Sequence, residues 1–234
     1  TLAALPHSEA SFYAHEKNFL SKEPLSREVF LELQERFGFL GGAYPEYIEY
    51  FHDPDSRPLW RFRLGDDVKA VAGFSVVPKK DGRQRKLLMA VAANYMWVEA
   101  AARSNMGMHA GASLDSAIVL HDTWHLAASD ESNAFTVVVV PEWMQLWCSA
   151  PPVRARDIRA LLQEQMKRVS GGTWIFLTYT RLPMGSSHSV HILMAINLEV
   201  TGRTSWRSGM LFCEAGATVD APEDEEWGQR ALAS

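Results

Sequence analysis

The stretch Asp130-Glu131-Ser132-Asn133-Ala134-Phe135 carries the pattern from which the fold of this chain is predicted. It follows residues 123–129, which predict a strand that ends at Asp130. It precedes residues 137–143, a run of four valines and then Pro-Glu-Trp. A carboxylate at a strand end can hold Mg²⁺, and the ring of Phe135, five positions on, can floor a pocket beside it. The alternative is a solvated aspartate at the end of an ordinary strand.

The bulk properties predict a globular protein with a substantial core. The chain has 234 residues and a mass of 26.2 kDa, enough for one large domain or two small subdomains. No apolar run reaches the roughly 18–20 residues that a membrane-spanning helix requires. Two cysteines, Cys148 and Cys213, are too few for a disulfide framework. Because the first residue is Thr1 and not Met, we expect a fragment of a longer chain.

The charge of the chain is unevenly distributed. The formal net charge of −5 argues against a general nucleic-acid binder. Residues 215–234 carry five acids and one base, a net charge of −4, so the other residues sum to −1. Residues 79–86 are strongly basic by contrast. Their charged side chains are Lys79, Lys80, Arg83, Arg85 and Lys86, around the single acid Asp81.

Local patterns predict the order of helices and strands. Ser26 is a suitable cap for a helix that ends at Phe37, with Gly38 as its stop. Asp81-Gly82 predicts a tight turn between two strands that form a basic hairpin. The remaining predicted elements are a loop at 41–58, the hairpin strands at 71–77 and 85–91, helices at 94–103, 153–169 and 187–198, and a strand at 174–180.

A third informative segment is Leu182-Pro183-Met184-Gly185, which predicts a strand, a sharp bend and then a helix. Gly185 lacks a side chain, so a nucleotide or template base can approach the backbone there. The alternative is an ordinary helix start, with Ser186 or Ser187 as its cap.

These three segments, in this order, resemble the reverse transcriptase family of retroelements. The basic Lys-Lys-Asp-Gly hairpin is similar to the family's fingers hairpin, Asp-x-x-x-x-Phe to its first palm motif, and Leu-Pro-Met-Gly to its Leu-Pro-x-Gly motif. The resemblance covers about residues 73–195. It implies an α+β fold with polymerase-like fingers and a partial palm, in which a small antiparallel sheet is backed by helices. Residues 71–214 are then fingers and palm, residues 1–70 an N-terminal helical and loop region, and residues 215–234 an acidic flexible tail.

The resemblance also implies roles for six residues, with Mg²⁺ as cofactor and with a template-primer and deoxynucleoside triphosphates as partners. Phe135 is expected to exclude the ribose 2′-hydroxyl, and Gly185 to shape the floor near the template. Lys79 and Arg85 are expected to contact the triphosphate. The catalytic Asp130 is expected to bind Mg²⁺, and the backbone of Glu131 to face the same metal.

One departure from the family limits what this chain can do alone. Nothing after Gly185 matches the family's aromatic-x-Asp-Asp motif, so a two-metal site lacks carboxylates and we expect the chain alone to be inactive. A non-catalytic remnant or a nucleic-acid-binding module is therefore an alternative. A second alternative is a permuted palm of an RNA-directed RNA polymerase, in which Asp66 and Asp67 of Gly65-Asp66-Asp67 provide the carboxylates.

Histidines and tryptophans give weaker signals. His188 and His191 are three residues apart on a predicted helix and could bind a metal, but zinc needs four ligands, so histidines of the core or the surface are expected. Trp143, Trp147 and Trp174 could stack on bases, although burial in the core is the expected role of tryptophan.

Overall fold

The computed structural model describes residues 4–78, 84–99 and 133–208 and shows a mixed α+β fold with two small sheets. This confirms the predicted α+β class. The helices are α1 (His7–Tyr13), α2 (Glu16–Phe19), α3 (Arg27–Phe37), α4 (Tyr44–His52), α5 (Val91–Met96), α6 (Ala134–Val137), α7 (Glu142–Gln145) and α8 (Ser189–Ser208). The strands are β1 (Leu40–Gly41), β2 (Trp60–Arg63), β3 (Gly73–Pro78), β4 (Gln84–Met89), β5 (Ser149–Arg154) and β6 (Trp174–Tyr179). None of the described helices has the length and apolarity needed to cross a membrane.

The first sheet has the order β1-β3-β4 and contains the predicted basic hairpin. Strands β3 and β4 are antiparallel, with Gly73 opposite Met89 and Pro78 opposite Gln84. The connection at residues 79–83 lies outside the described residues. Strand β1 runs parallel to β3, so this sheet is mixed. The register of β3 and β4 confirms that the two predicted strands pair as a hairpin.

The second sheet is antiparallel and has the order β2-β6-β5. Its inner face is apolar and fully buried, as shown by Val153, Ile175 and Leu177. The predicted strand at 174–180 is confirmed as β6. Strand β2 was not predicted, because its sequence Trp-Arg-Phe-Arg is too short and too basic to indicate a strand.

Helix α3 begins and ends where the sequence predicts. The Ser26 hydroxyl accepts a hydrogen bond from the Val29 backbone N–H at 3.3 Å, and Gly38 follows the last residue. Phe30 packs against the core, whereas Val29 is 43% exposed. The predicted boundaries are therefore confirmed, and only part of the predicted apolar face is covered.

Removing the cap of α3 is expected to destabilise the protein modestly. Ser26→Ala leaves the Val29 N–H without its side-chain acceptor, and such substitutions cost about 0.5–2 kcal/mol. Urea denaturation followed by circular dichroism measures this cost. Ser26→Asp is the matched control, because it restores an acceptor and is expected to recover most of the stability. Equal stability of Ser26→Ala and the unmodified protein would contradict the capping role.

The predicted loop at residues 41–58 is wrong, because residues 44–52 form α4. Pro45 occupies the first turn of this helix, where its missing N–H has no intrahelical partner to lose. Tyr47 and Phe51 lie four residues apart and bury their rings against each other, with centroids 4.9 Å apart. Burial of these two rings stabilises a helix in a segment whose composition indicates a loop.

The predicted helix at residues 153–169 is also wrong. Val153 and Arg154 belong to β5, and only short 3₁₀ turns follow, at Arg159–Leu161 and Met166–Arg168. The Arg159 guanidinium donates to the carbonyls of Lys167 and Val169, so it satisfies acceptors that a helix would otherwise use. The predicted apolar residues Ile158, Leu161 and Leu162 are nevertheless buried. The helical spacing thus predicted the burial of these three residues, but Gln165, which the same spacing places on the buried side, is exposed, and the predicted conformation is incorrect.

The predicted helix at 94–103 is displaced towards the N-terminus. Helix α5 begins at Val91 and ends at Met96, because Trp97 pairs with Leu20 as an isolated antiparallel bridge. The Val98 N–H also donates to the Phe19 carbonyl at 2.9 Å. Pairing with a distant segment therefore ends the helix. Residues 100–103 lie outside the described residues.

Candidate functional site

The turn that contains Gly185 contacts the end of strand β4. A Cβ atom on Gly185 would lie 2.1 Å from the Leu88 carbonyl oxygen and 3.0 Å from the Met89 Cα. Both neighbours are backbone atoms, which cannot move aside as a side chain can. Glycine is therefore required where the Leu-Pro-Met-Gly segment meets the basic hairpin.

Asn94 holds the same turn from the side of α5. Its Nδ2 donates to the Gly185 carbonyl at 2.9 Å, and its Oδ1 accepts from the Ser187 N–H at 3.0 Å. No sequence motif includes this residue. The sequence gives only a weak indication of its role. Asparagine is disfavoured inside helices, so an asparagine in a helical segment can indicate a side-chain hydrogen bond to another part of the fold.

The chain just after Phe135 pairs with the chain that leads into the same turn. The Leu182 N–H donates to the Val138 carbonyl at 3.2 Å, and the Val140 N–H donates to the Thr180 carbonyl at 3.1 Å. Phe135 lies on α6 and packs, partly buried, against the core. We call the contact of β4, α5, residues 138–140 and residues 180–185 the motif junction. In it the Leu-Pro-Met-Gly turn meets the basic hairpin, and the chain that follows Phe135 pairs with the residues that enter this turn.

Several predicted site residues fall outside this description. Lys79, Asp130 and Glu131 lie outside the described residues. Arg85 lies on β4 opposite Val77, and only its backbone is described. The predicted triphosphate and metal contacts of these four residues therefore stay predictions.

Lys86, another basic residue of the hairpin, contacts other residues of the protein through its side chain. Its Nζ lies 3.8 Å from the centroid of the Tyr50 ring and donates to the Ser56 hydroxyl at 3.3 Å. Burial lowers the pKa of Lys86, and the Asp53 carboxylate opposes this shift. Lys86 thus anchors the base of the hairpin on α4 and the turn that follows it.

The Gly65-Asp66-Asp67 segment forms a 3₁₀ turn and not a hairpin. It leaves β2 and leads towards β3, and these two strands belong to different sheets. Asp66 and Asp67 are both exposed. The two apolar flanking strands that a catalytic hairpin needs are absent from this part of the described chain.

His188 is a core residue. It is fully buried, and its Nε2 contacts the Val98 carbonyl at 2.6 Å, so Nε2 carries a proton. In the neutral ring, Nδ1 then accepts from the Tyr13 hydroxyl at 3.0 Å. His191 lies beside it and contacts Glu9 through Nε2 at 3.1 Å. Of the two expected environments, core and surface, both histidines lie in the core.

The described ranges contain no group of three or more histidine, cysteine, aspartate or glutamate side chains arranged to hold a metal ion. Asp130, the residue predicted to bind Mg²⁺, lies outside those ranges.

The three tryptophans singled out in the sequence have different environments. Trp147 is buried and donates to Glu16, and Trp143 donates to the Tyr13 carbonyl at 3.3 Å. Trp174, by contrast, is 44% exposed at the start of β6. The expectation of burial is therefore wrong for Trp174, because its side chain lies on the outer face of the sheet.

No family model, curated protein or solved structure matches this chain. The geometry of the motif junction is therefore the main structural observation that bears on function.

Proposed function

We propose that this chain is the fingers and part of the palm of a retroelement reverse transcriptase. The observation that carries the proposal is the motif junction. Gly185 and Leu88 are 97 positions apart in the sequence, yet there is no room for a Cβ between them. Residues 138–140, which follow the Asp-x-x-x-x-Phe segment, pair with the chain that enters the same turn. A basic hairpin, a palm carboxylate segment and a glycine turn need this proximity to act on one nucleotide.

In this proposal the reaction is the template-directed attack of a primer 3′-hydroxyl on a deoxynucleoside triphosphate. Mg²⁺ held by Asp130 would lower the barrier by stabilising charge on the reacting oxygens. Lys79 and Arg85 would hold the triphosphate, since cationic side chains pair well with phosphate oxygens. The backbone of Glu131 would face the metal, and Gly185 would allow the turn to lie directly against β4 of the basic hairpin.

The test is primer extension on an RNA template by a full-length polymerase that contains this chain. We expect incorporation of deoxynucleotides that depends on Mg²⁺ and on the RNA template. The control is the same polymerase without template. Failure of the full-length protein to extend any primer, under conditions in which it binds the template-primer, would contradict the proposal.

The second candidate function is a non-catalytic nucleic-acid-binding remnant. It is favoured by one observation, the lack of an aromatic-x-Asp-Asp motif after Gly185 in the sequence. Binding of an RNA–DNA hybrid without extension by the full-length protein would support this candidate over the polymerase.

Sugar selection provides a separate prediction for Phe135. In the full-length polymerase, Phe135→Val is expected to raise the use of ribonucleotides relative to deoxynucleotides by about ten-fold or more, because a smaller side chain leaves room for a 2′-hydroxyl. The ratio of kcat/KM values for the two sugars measures the effect. Val137→Ala, at a 55% exposed position on the same helix, is the control. Unchanged sugar selection by Phe135→Val would remove the proposed role.

A further inference from the structure

An arginine and a tryptophan are stacked on the outer face of the second sheet. Arg154 and Trp174 are directly opposite each other on β5 and β6. The guanidinium carbon of Arg154 lies 3.4 Å from the centroid of the Trp174 ring, and the same guanidinium donates to the Gly172 carbonyl. This hydrogen bond and the ring together fix the arginine in place. The pair therefore places a cationic guanidinium directly over an aromatic ring.

A second arginine and a tyrosine adjoin this pair. Arg156 is 72% exposed and approaches Asp157, its neighbour in the chain, at 3.6 Å. The Asp157 carboxylate also accepts a hydrogen bond from the Tyr44 hydroxyl at 2.7 Å, and the same hydroxyl accepts from the Arg154 backbone N–H. We call the side chains of Tyr44, Arg154, Arg156 and Trp174 the arginine–aromatic patch. Its nearby acid, Asp157, is already engaged by two of the members.

The connection between β5 and β6 adds positive charge around the patch. Residues 154–168 contain five bases and two acids, a net charge of +3 in a chain whose formal net charge is −5. On β2, by contrast, Arg63 is paired with an acid. It contacts Glu142 at 2.6 Å and lowers the pKa of the Glu142 carboxyl. Within residues 154–168, Lys167 contacts Glu164 at 2.6 Å and Arg159 donates to backbone carbonyls, so Arg154 and Arg156 carry the positive charge of the patch.

We infer that the arginine–aromatic patch binds single-stranded nucleic acid. Bases stack on aromatic rings and on arginine planes, and exposed guanidinium groups pair with phosphates. This surface lies outside the three motifs of the proposed polymerase site, so it is an accessory contact for a strand and not part of nucleotide selection. An acidic peptide would use the charges alone, whereas the stacked geometry of Arg154 on Trp174 favours a partner with planar rings.

The experiment measures binding of a fluorescein-labelled oligothymidylate of about 12 nucleotides to the 234-residue chain by fluorescence anisotropy. Trp174→Ala is expected to weaken binding about ten-fold, because it removes both a stacking surface and the support of Arg154. Arg156→Gln is expected to reduce the slope of log affinity against log salt concentration by about 0.7, the value for one phosphate contact on a single strand.

Matched controls separate this patch from general surface effects. Phe39→Ala removes an aromatic ring that is 51% exposed elsewhere, and Arg36→Gln removes an exposed arginine of α3. Both variants are expected to bind like the unmodified chain. The inference is overturned if Trp174→Ala and Arg156→Gln bind normally, or if the controls weaken binding equally. Circular dichroism identifies a Trp174→Ala variant that has lost its fold, and Arg156→Gln then decides the outcome.

Two further outcomes distinguish this inference from competing explanations. An oligoglutamate peptide is compared with the oligothymidylate in the same assay. If it binds as tightly and the same variants lose this binding, the patch is a surface for acidic partners and the inference is overturned. Normal oligothymidylate binding by both patch variants, together with active primer extension by the full-length polymerase, would refute the patch and leave the proposed function intact. If the patch variants lost binding and the full-length protein had no polymerase activity, the patch would be supported and the proposed function would be contradicted.

Discussion

Primer extension by a full-length polymerase that contains this chain is expected to fall at least about 1,000-fold when Asp130 is replaced by Asn. The amide keeps the size of the side chain but removes the negative charge that would hold Mg²⁺. Metal stabilisation of the reacting oxygens contributes several kcal/mol to such reactions, and each 1.36 kcal/mol corresponds to a ten-fold change in rate. Single-nucleotide incorporation at saturating template-primer measures the loss.

Asp66→Asn is the matched control for Asp130→Asn. Asp66 is an exposed aspartate in the 3₁₀ turn after β2, so its replacement is expected to leave the rate nearly unchanged. Both variants should still bind an RNA–DNA hybrid. If Asp66→Asn abolished synthesis and Asp130→Asn spared it, the permuted RNA-directed RNA polymerase would replace the present proposal. Full activity of both variants would remove the metal role of Asp130.

The second large effect is expected at the motif junction. Gly185→Val introduces a Cβ atom 2.1 Å from the Leu88 carbonyl oxygen, a distance that no side-chain rotation can increase. The turn and β4 must therefore separate, which also strains the two hydrogen bonds from Asn94. Overpacking usually costs about 1–3 kcal/mol, and a backbone clash of this kind is expected at or above the upper value. Urea denaturation measures the change in the free energy of unfolding.

Gly172→Val is the control for the substitution at Gly185. The nearest atom to a Cβ on Gly172 is the Ser170 hydroxyl at 3.9 Å, which is an ordinary contact. Its stability is expected to stay within about 0.5 kcal/mol of the unmodified protein. A Gly185→Val protein as stable as the Gly172→Val protein would show that the junction is not closely packed in solution.

The sequence predicted those elements whose signals are local. The Ser26 cap, the Gly38 stop and the pairing of the two hairpin strands depend on residues close together in the chain, and all three are confirmed. Residues 153–169 fail for the opposite reason. Their apolar spacing fits a helix, but pairing of Val153 and Arg154 with β6 fixes the start of the segment as a strand. Long-range pairing overrides local preference there.

The same difference between local and long-range signals applies to the residues of the candidate site. The Leu-Pro-Met-Gly pattern predicted that a nucleotide or template base approaches Gly185, whereas the structure places the Leu88 backbone on the Cβ side of this residue. Asn94 could not be predicted, since its two hydrogen bonds reach residues more than 90 positions away. The exposure of Trp174 likewise depends on which face of β6 meets the core, and this is decided by the register with β2 and β5.

The hydrogen bond between Tyr13 and His188 has a consequence for how the protein is made. These residues are 175 positions apart, and each is fully buried. At synthesis rates of about 5–20 residues per second, Tyr13 is synthesised roughly 9–35 seconds before His188. During that interval the aromatic side chains of α1 and α2 cannot pack against this histidine. Helices α1 and α2 are thus synthesised before the other described helices and strands, and they complete their packing only after His188 has been made.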